Sequence, residues 1–197
     1  MASELLRLRG PVVGLLLAAG RGSRFGGGKL LHTLPDGAPM GVRSAMNLKV
    51  SLPMSIALVR PEDAELRHLL EGVGIECVVC ERAREGMGAT IACGVRVTSD
   101  AAGWVIALGD MPHIDPKTIE SVGKAIVAGA EIVAPSVAGI RGHPVGFSAS
   151  FRKSLLALSG DVGARGIVAA NLHRLTTIVC KDQGILADID TPADLSR

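Results

Sequence analysis

The 197-residue chain contains no tyrosine, one tryptophan and three phenylalanines, so aromatic residues make up only 2% of it. That scarcity excludes a surface that binds single-stranded nucleic acid by stacking bases on rings. It also leaves the core to Leu, Val, Ile and Ala, a bias that suits strands covered by helices on both faces. A strong net charge is missing as well: 21 basic and 19 acidic residues give +2, too little for a nucleic-acid-binding surface. Repeats, low-complexity tracts and long linkers are absent. So is any apolar run long enough to cross a membrane. Val12 to Ala19 is short, is interrupted by Gly14 and leads into an arginine-rich loop, which favours a strand over a signal-peptide core.

Hydrophobic residues at 48% and charged residues at 20% describe a globular chain. Its length predicts a single domain over residues 1–197. The four cysteines stand at 77, 80, 93 and 180. Cys77 and Cys80 form a C-x-x-C, but in a predicted strand positions three apart face opposite ways. No second pair completes a zinc set. The cysteines therefore read as buried free thiols, and the location as a reducing cytoplasm.

Strands are predicted at 11–17, 54–60, 75–80, 104–108 and 131–134, and around 174–180 and 185–189. Helices are predicted at 40–49, after Pro61, at 89–97, from Asp115-Pro116 to about Ala128, and at 151–158 and 163–171. Residues 135–150 read as irregular around Arg141-Gly-His-Pro-Val-Gly146. The alternation predicts an α/β fold, a mostly parallel sheet with helices on both faces. Ligands of such sheets bind beyond the carboxyl ends of the strands. The glycine-rich stretch after Leu17, and Asp110, both fall at such ends.

That stretch reads Leu17-Ala-Ala-Gly-Arg-Gly-Ser-Arg-Phe-Gly-Gly-Gly-Lys29. Glycines let backbone N–H groups approach an anion closely, and Arg21, Arg24 and Lys29 add positive charge. A Walker loop is excluded because Ser23 takes the first glycine position and Leu30 replaces the hydroxyl after Lys29. The dinucleotide fingerprint fails at Phe25, and the second strand ends in Arg60 where an acid would hold a ribose. The basic loop has an acidic counterpart in Asp182, Asp188, Asp190 and Asp194 near the other end.

The loop resembles the nucleotidyltransferase signature L-A-A-G-x-x-x-R-[MF]-G-x-x-K. Five further blocks follow in order: Gly86-Met-Gly-Ala-Thr-Ile-Ala-Cys-Gly94, Gly109-Asp-Met-Pro112, Arg141-Gly-His-Pro144, Gly160-Asp-Val-Gly-Ala-Arg165 and Asp188-Ile-Asp-Thr-Pro192. Together they resemble the molybdenum cofactor cytidylyltransferases and their relatives in molybdopterin-guanine dinucleotide synthesis. The resemblance implies a three-layer Rossmann-like fold of the nucleotide-diphospho-sugar transferase type. It implies transfer of CMP from CTP to the phosphate of molybdopterin, with Mg²⁺ as cofactor and a molybdoenzyme or its maturation factor as a protein partner. Arg24, Lys29 and Asp110 would be catalytic. Leu17, Ala18, Ala19 and Gly20 would bind the nucleotide, with Arg21, Gly22 and Gly88. Asp110 would bind the metal with Asp190 or Asp188; the latter two, two apart in a strand-like segment, are expected to share a face. His143, Asp161 and Arg165 would bind the acceptor.

Other readings stand beside these. His143 either touches the acceptor or holds its loop, and Arg165 is either a contact or a surface residue. Asp115, Asp161 and Asp194 read as helix caps, the last in a Thr191-Pro-Ala-Asp194 capping box. Arg60 and Arg82 are assigned to the surface. Ala19 stands where guanylyl-transferring relatives usually carry glycine, which favours CTP over GTP. Ala89-Thr90 replaces a pair of serines common in relatives, and His32–Pro39 departs from their compact turn, so a different acceptor is a competing reading. Guanylyl transfer is another, and a non-catalytic nucleotide-binding chaperone a third, disfavoured because a mere binder need not keep Arg24, Lys29, Asp110 and Asp190 together.

Overall fold

A computed structural model describes residues 10–194 apart from 21, 23, 24, 26 and 192. The expectations for Arg21 and Arg24 therefore lie outside the described residues. Eight strands and six helices longer than a single turn alternate along the described chain: β1 (Val12–Leu17), α1 (Met40–Ser51), β2 (Ser55–Val59), α2 (Ala64–Gly72), β3 (Glu76–Val79), α3 (Met87–Val97), β4 (Gly103–Leu108), α4 (Pro116–Val127), β5 (Ile132–Val137), β6 (Ile140–Arg141), β7 (Val145–Ser148), α5 (Arg152–Leu156), α6 (Arg165–Ala170) and β8 (Leu175–Val179). The sheet order is β3-β2-β1-β4-β7-β5-β6, with β8 pairing β5 from its other side. The pairs β1–β2, β1–β4, β2–β3 and β5–β8 are parallel. Only β7, antiparallel to β4 and β5, and the short β6 run against that direction.

Period-two alternation in β1 builds the layers. Val13, Leu15 and Leu17 point into one apolar cluster, with Leu58, Ile91, Val95, Trp104, Phe147 and Leu155. Leu16 points into the other, with Met40, Leu48, Leu66, Leu70, Ile119 and Val122. Thus α1, α2 and α4 cover one face of the sheet, and α3, α5 and α6 the other. Where α3 crosses β1 and β2, a Cβ on Gly94 would lie 2.7 Å from Leu58 Cδ1, so glycine sets how closely this helix seats. Trp104, fully buried, donates from Nε1 to Thr98 Oγ1 at 2.8 Å, which satisfies its polar atom. No described helix is long and apolar enough to cross a membrane.

The structure corrects several readings of the sequence. Residues 135–150 are not irregular: β5 continues to Val137, turns through Ala138 and Gly139 into β6, and β7 inserts between β4 and β5. The Gly-His-Pro interruption hides two short strands whose pairing is decided by distant partners. Residues 185–189 are not a strand. A 3₁₀ turn at Gln183–Leu186 forms because the Asp182 carboxylate accepts from the Gly184 N–H at 2.9 Å. Asp161 caps no helix: α6 starts at Arg165 with Ala164 at its N-cap and no side-chain cap. Asp115 does cap α4, accepting from the Lys117 N–H at 2.8 Å. Cys80 and Cys93 are not free thiols but form a disulfide, their Cα atoms 6.2 Å apart. The end of β3 and the body of α3 meet on one face of the sheet, a proximity that period-two alternation within one strand does not reveal. Cys77 and Cys180 are free, and both are half-buried.

Leu15 is fully buried on the central strand. Leu15→Ala is expected to lower unfolding stability by about 2–5 kcal/mol, from lost burial and the cavity left behind. Urea denaturation followed by circular dichroism measures it, and a loss below about 1 kcal/mol would contradict this packing.

Candidate functional site

The site begins where β1 and β4 end side by side. Leu17 pairs with Leu108 in register, and the Gly109 N–H donates to Leu17 O at 3.0 Å. Ser44 of α1 donates its hydroxyl to Gly109 O at 2.9 Å, fixing the turn that presents Asp110. On the other strand the chain passes through Ala18, Ala19 and Gly20 into the glycine loop. It returns at Gly28, whose φ of 63° starts the 3₁₀ turn Lys29–Leu31. Leu30 of this turn is buried and packs beside Gly109, where a Cβ would lie 3.1 Å from it. Gly22 closes on Lys29 of the same turn: a Cβ there would stand 2.8 Å from Lys29 Cβ.

Lys29, 8% exposed, is thereby held with its ammonium on two carboxylates: Nζ lies 2.8 Å from Asp110 Oδ2 and 2.9 Å from Asp190 Oδ1. Burial pulls its pKa down, but the hydrogen bonds and charges of Asp110 and Asp190 outweigh that and raise it above the ordinary lysine value. Asp110, with 27% of its side chain exposed, is the less screened partner; Asp190 has 41% exposed. Asp190 arrives because the Ile189 N–H donates to Asp110 O at 3.0 Å, tying the far segment to the end of β4. The Asp194 carboxylate then accepts from Asp190 N at 3.2 Å, and from Thr191 N at 2.9 Å and its hydroxyl at 2.8 Å. The Thr191–Asp194 bonds are the side-chain half of the predicted capping box.

Asp188 does not share this placement. With no strand at 187–190, Ile189 is buried between an exposed Asp188 and a half-buried Asp190, and only Asp190 meets Lys29. Of the two aspartates, Asp190 bonds Lys29, while the charge of Asp188 acts with that of Asp110 on His143.

Two cavities flank Asp110. One, of about 300 Å³, is lined by Leu17, Gly20, Gly22, Lys29, Leu30, Asp110 and Asp190. The other, of about 430 Å³, shares Leu17, Gly20 and Asp110 and adds Ala19, Ala83, Arg84, Gly86, Met87, Thr90, Leu108 and Asp161. Its wall is the 3₁₀ turn Ala83–Glu85 and the start of α3, locked against Ser159–Asp161. At Gly86, with φ of 119°, a Cβ would meet Asp161 Oδ1 at 2.3 Å and Gly160 O at 2.5 Å. The Gly88 N–H is committed to Gly160 O at 2.8 Å. Gly88 therefore serves this backbone junction and lies outside the residues lining either cavity. Thr90, 3% exposed, keeps a hydroxyl at the cavity and donates it to Gly86 O at 3.2 Å.

The sequence reading passed over Ala83, Arg84 and Met87 as lining residues. The available signal was their position after a third parallel strand, in a loop that mixes charge with glycine. Arg82 is exposed and pairs with Glu85. Arg60, assigned to the surface, is instead half-buried and bonded to Asp63 at 2.6 and 2.7 Å. Arg165 is exposed and lines neither cavity. His143 is held by its N–H on Ile185 O at 2.9 Å, and its Nδ1 is buried with no hydrogen-bond partner. Burial lowers its pKa, against the opposing charges of Asp110 and Asp188.

Among the described residues no group of three or more His, Cys, Asp or Glu side chains is placed to hold a metal ion. Asp110 and Asp190 offer the hard oxygen atoms that Mg²⁺ and Mn²⁺ accept, and one or two carboxylates suffice for such ions beside substrate phosphates. The arrangement has parts that phosphoryl chemistry uses: a glycine-rich turn, the ammonium of a buried lysine and paired carboxylates beyond the ends of parallel strands.

Residues 14–175 match the model of the MobA-like NTP transferase domain. The chain belongs to that family. It is 29% identical over 202 residues to the purine catabolism protein PucB of Bacillus subtilis, covering 95% of this chain and 96% of that protein. It is 30% identical over 196 residues to a molybdenum cofactor guanylyltransferase of Cupriavidus pinatubonensis, again covering 95% and 96%. Among solved structures, Rv0371c of Mycobacterium tuberculosis superposes with a TM-score of 0.79 at 27% identity, covering 96% of this chain and 97% of that one. That protein has also been solved in complex with manganese, with a TM-score of 0.76 to this chain. The protein is thus a nucleotidyltransferase of the MobA-like family, and its fold is the mixed α/β sheet of that group.

His143 yields a pH prediction. Its folded pKa lies below the ordinary value of about 6.5. The folded state therefore binds fewer protons, and the contribution present above that value is lost as pH falls towards the folded pKa. His143→Asn is expected to shrink the fall in melting temperature between pH 7 and pH 5; an unchanged fall would contradict burial of the neutral ring.

Proposed function

We propose that this nucleotidyltransferase moves CMP from CTP to the terminal phosphate of molybdopterin, in the presence of Mg²⁺, and releases pyrophosphate. The observation that carries the reading is the convergence of Lys29, Asp110 and Asp190 beside the glycine turn. An oxygen of the acceptor phosphate attacks the α-phosphorus in line. The bond to the bridging oxygen breaks, and that oxygen leaves with the β- and γ-phosphates. Catalysis of this kind is mainly positioning and charge neutralisation. Backbone N–H groups of the loop, Arg24 and Lys29 receive the phosphates, with Arg21 on the same loop. Asp110 and Asp190 would hold the metal, which would polarise phosphate oxygens and offset their charge.

The larger of these two cavities, lined in part by Ala19, takes the nucleoside. Asp161 lines that cavity, so it belongs to the nucleotide side of the site in this reading and not to the acceptor side. His143, whose electrostatic neighbours are Asp110 and Asp188, faces the acceptor. The Ala19 methyl favours the smaller base. A single methyl discriminates by only about 1–3 kcal/mol, and the Cupriavidus relative is named a guanylyltransferase, so GTP is the second reading.

Incubation with Mg²⁺, molybdopterin and each NTP in turn, followed by pyrophosphate detection, tests the proposal. Release with CTP is expected. Release with GTP alone overturns the base assignment, and none with any NTP overturns the reaction. Asp110→Ala is expected to lower turnover by at least about 10²-fold, the scale of losing one electrostatic contact to the reacting centre. Its circular dichroism spectrum should be unchanged.

A further inference from the structure

The proposed reaction places two demands on one spot. A metal ion on Asp110 and Asp190 needs their oxygens, and Asp110 Oδ2 and Asp190 Oδ1 are the atoms bonded to the Lys29 ammonium at 2.8 and 2.9 Å. Transfer of charge to the phosphates, meanwhile, needs the same ammonium elsewhere. A divalent ion and an ammonium sharing these two carboxylates would leave one excess positive charge between them.

The surroundings of Lys29 show what is able to move. Its backbone is pinned: Leu30 is buried beside Gly109, and Gly22 approaches Lys29 Cβ too closely to carry a side chain of its own. Its flexible four-carbon stem is not pinned in that way. The cavity of about 300 Å³ that it lines also contains Gly20 and Gly22, on the phosphate-accepting loop. The open direction from the carboxylates is therefore towards the place an incoming triphosphate would occupy.

We propose that Lys29 is a built-in placeholder cation, exchanged from Asp110 and Asp190 onto the nucleotide phosphates as a divalent metal ion takes its place, so that metal and nucleotide bind cooperatively. The inference rests on reading the cleft as a metal–triphosphate site. Metal alone must displace the Lys29 ammonium from its two carboxylate partners, whereas metal arriving with a triphosphate supplies that ammonium with new acceptors. Linkage makes the effect reciprocal: each ligand raises the affinity for the other by the same factor. It also gives the two carboxylates a cation in either state, which keeps these like charges from facing each other unpaired.

Mn²⁺ serves as the probe, its free concentration read by electron paramagnetic resonance, without nucleotide. Lys29→Gln and Lys29→Met should each bind Mn²⁺ about tenfold or more tighter than the unaltered protein, within the usual range for coupled sites. Mn²⁺ should also raise their melting temperature more than it raises that of the unaltered protein. Equal Mn²⁺ affinity in all three, with binding abolished by Asp110→Asn, overturns the exchange and leaves the metal site standing. Mn²⁺ binding unaffected by Asp110→Asn and Asp190→Asn overturns the metal site and the exchange together. Either lysine variant suffices, so failure of one to fold leaves the other to decide.

Discussion

One ammonium between two carboxylates organises this molecule. Lys29, Asp110 and Asp190 are separated by 81 and 161 residues at the two hydrogen bonds that join them. Nothing local brings them together. A buried lysine is costly unless paired, and breaking such a pair from one side typically costs about 3–5 kcal/mol where both partners are well buried. The exposure of Asp190 places its share lower. The interaction therefore acts as a demand on the rest of the fold: each segment must arrive at the same point.

The sheet meets that demand through parallel strands that end together. The β1–β4 ladder sets the level of Leu17 and Leu108, and the Gly109 turn then aims Asp110. The third member comes from a segment outside the helices and strands, fastened by a backbone bond from Ile189 to Asp110 and by the Thr191–Asp194 cap. Glycines complete the frame where no side chain fits. Gly22 lies against Lys29, and Gly86 and Gly88 lie against the backbone of Ser159–Asp161. The first is part of the glycine loop; the other two belong to the wall of the neighbouring cavity.

Legibility of the sequence followed the range of the forces involved. The apolar runs of β1 and β4, the Asp115-Pro116 start of α4 and the Thr191–Asp194 cap are local, and each was readable from its own residues. The β6–β7 region was not, because Gly142-His143-Pro144 masks short strands that exist through their pairing with β4 and β5. The 185–189 segment is an exception to that rule: its apolar residues suggest a strand, yet a local bond from Gly184 N–H to Asp182 starts 3₁₀ structure at Gln183–Leu186. Cys80 and Cys93 illustrate the same limit: their proximity is a property of α3 packing on the sheet.

The sequence by itself determined the α/β alternation, the glycine loop ending at Lys29, the failure of the Walker and dinucleotide spacings, and the placement of Asp110 after a buried strand. These depend on residue type and short spacing, which backbone sterics and side-chain periodicity translate directly. Only the tertiary structure decided that Asp190 and not Asp188 joins Lys29, that Gly88 spends its N–H on Gly160, and that Asp161 stands in the cavity with Ala19. Those outcomes depend on where distant segments dock, which is decided by burial and by the pairing of buried charge, forces that act across the fold and leave no mark on neighbouring residues.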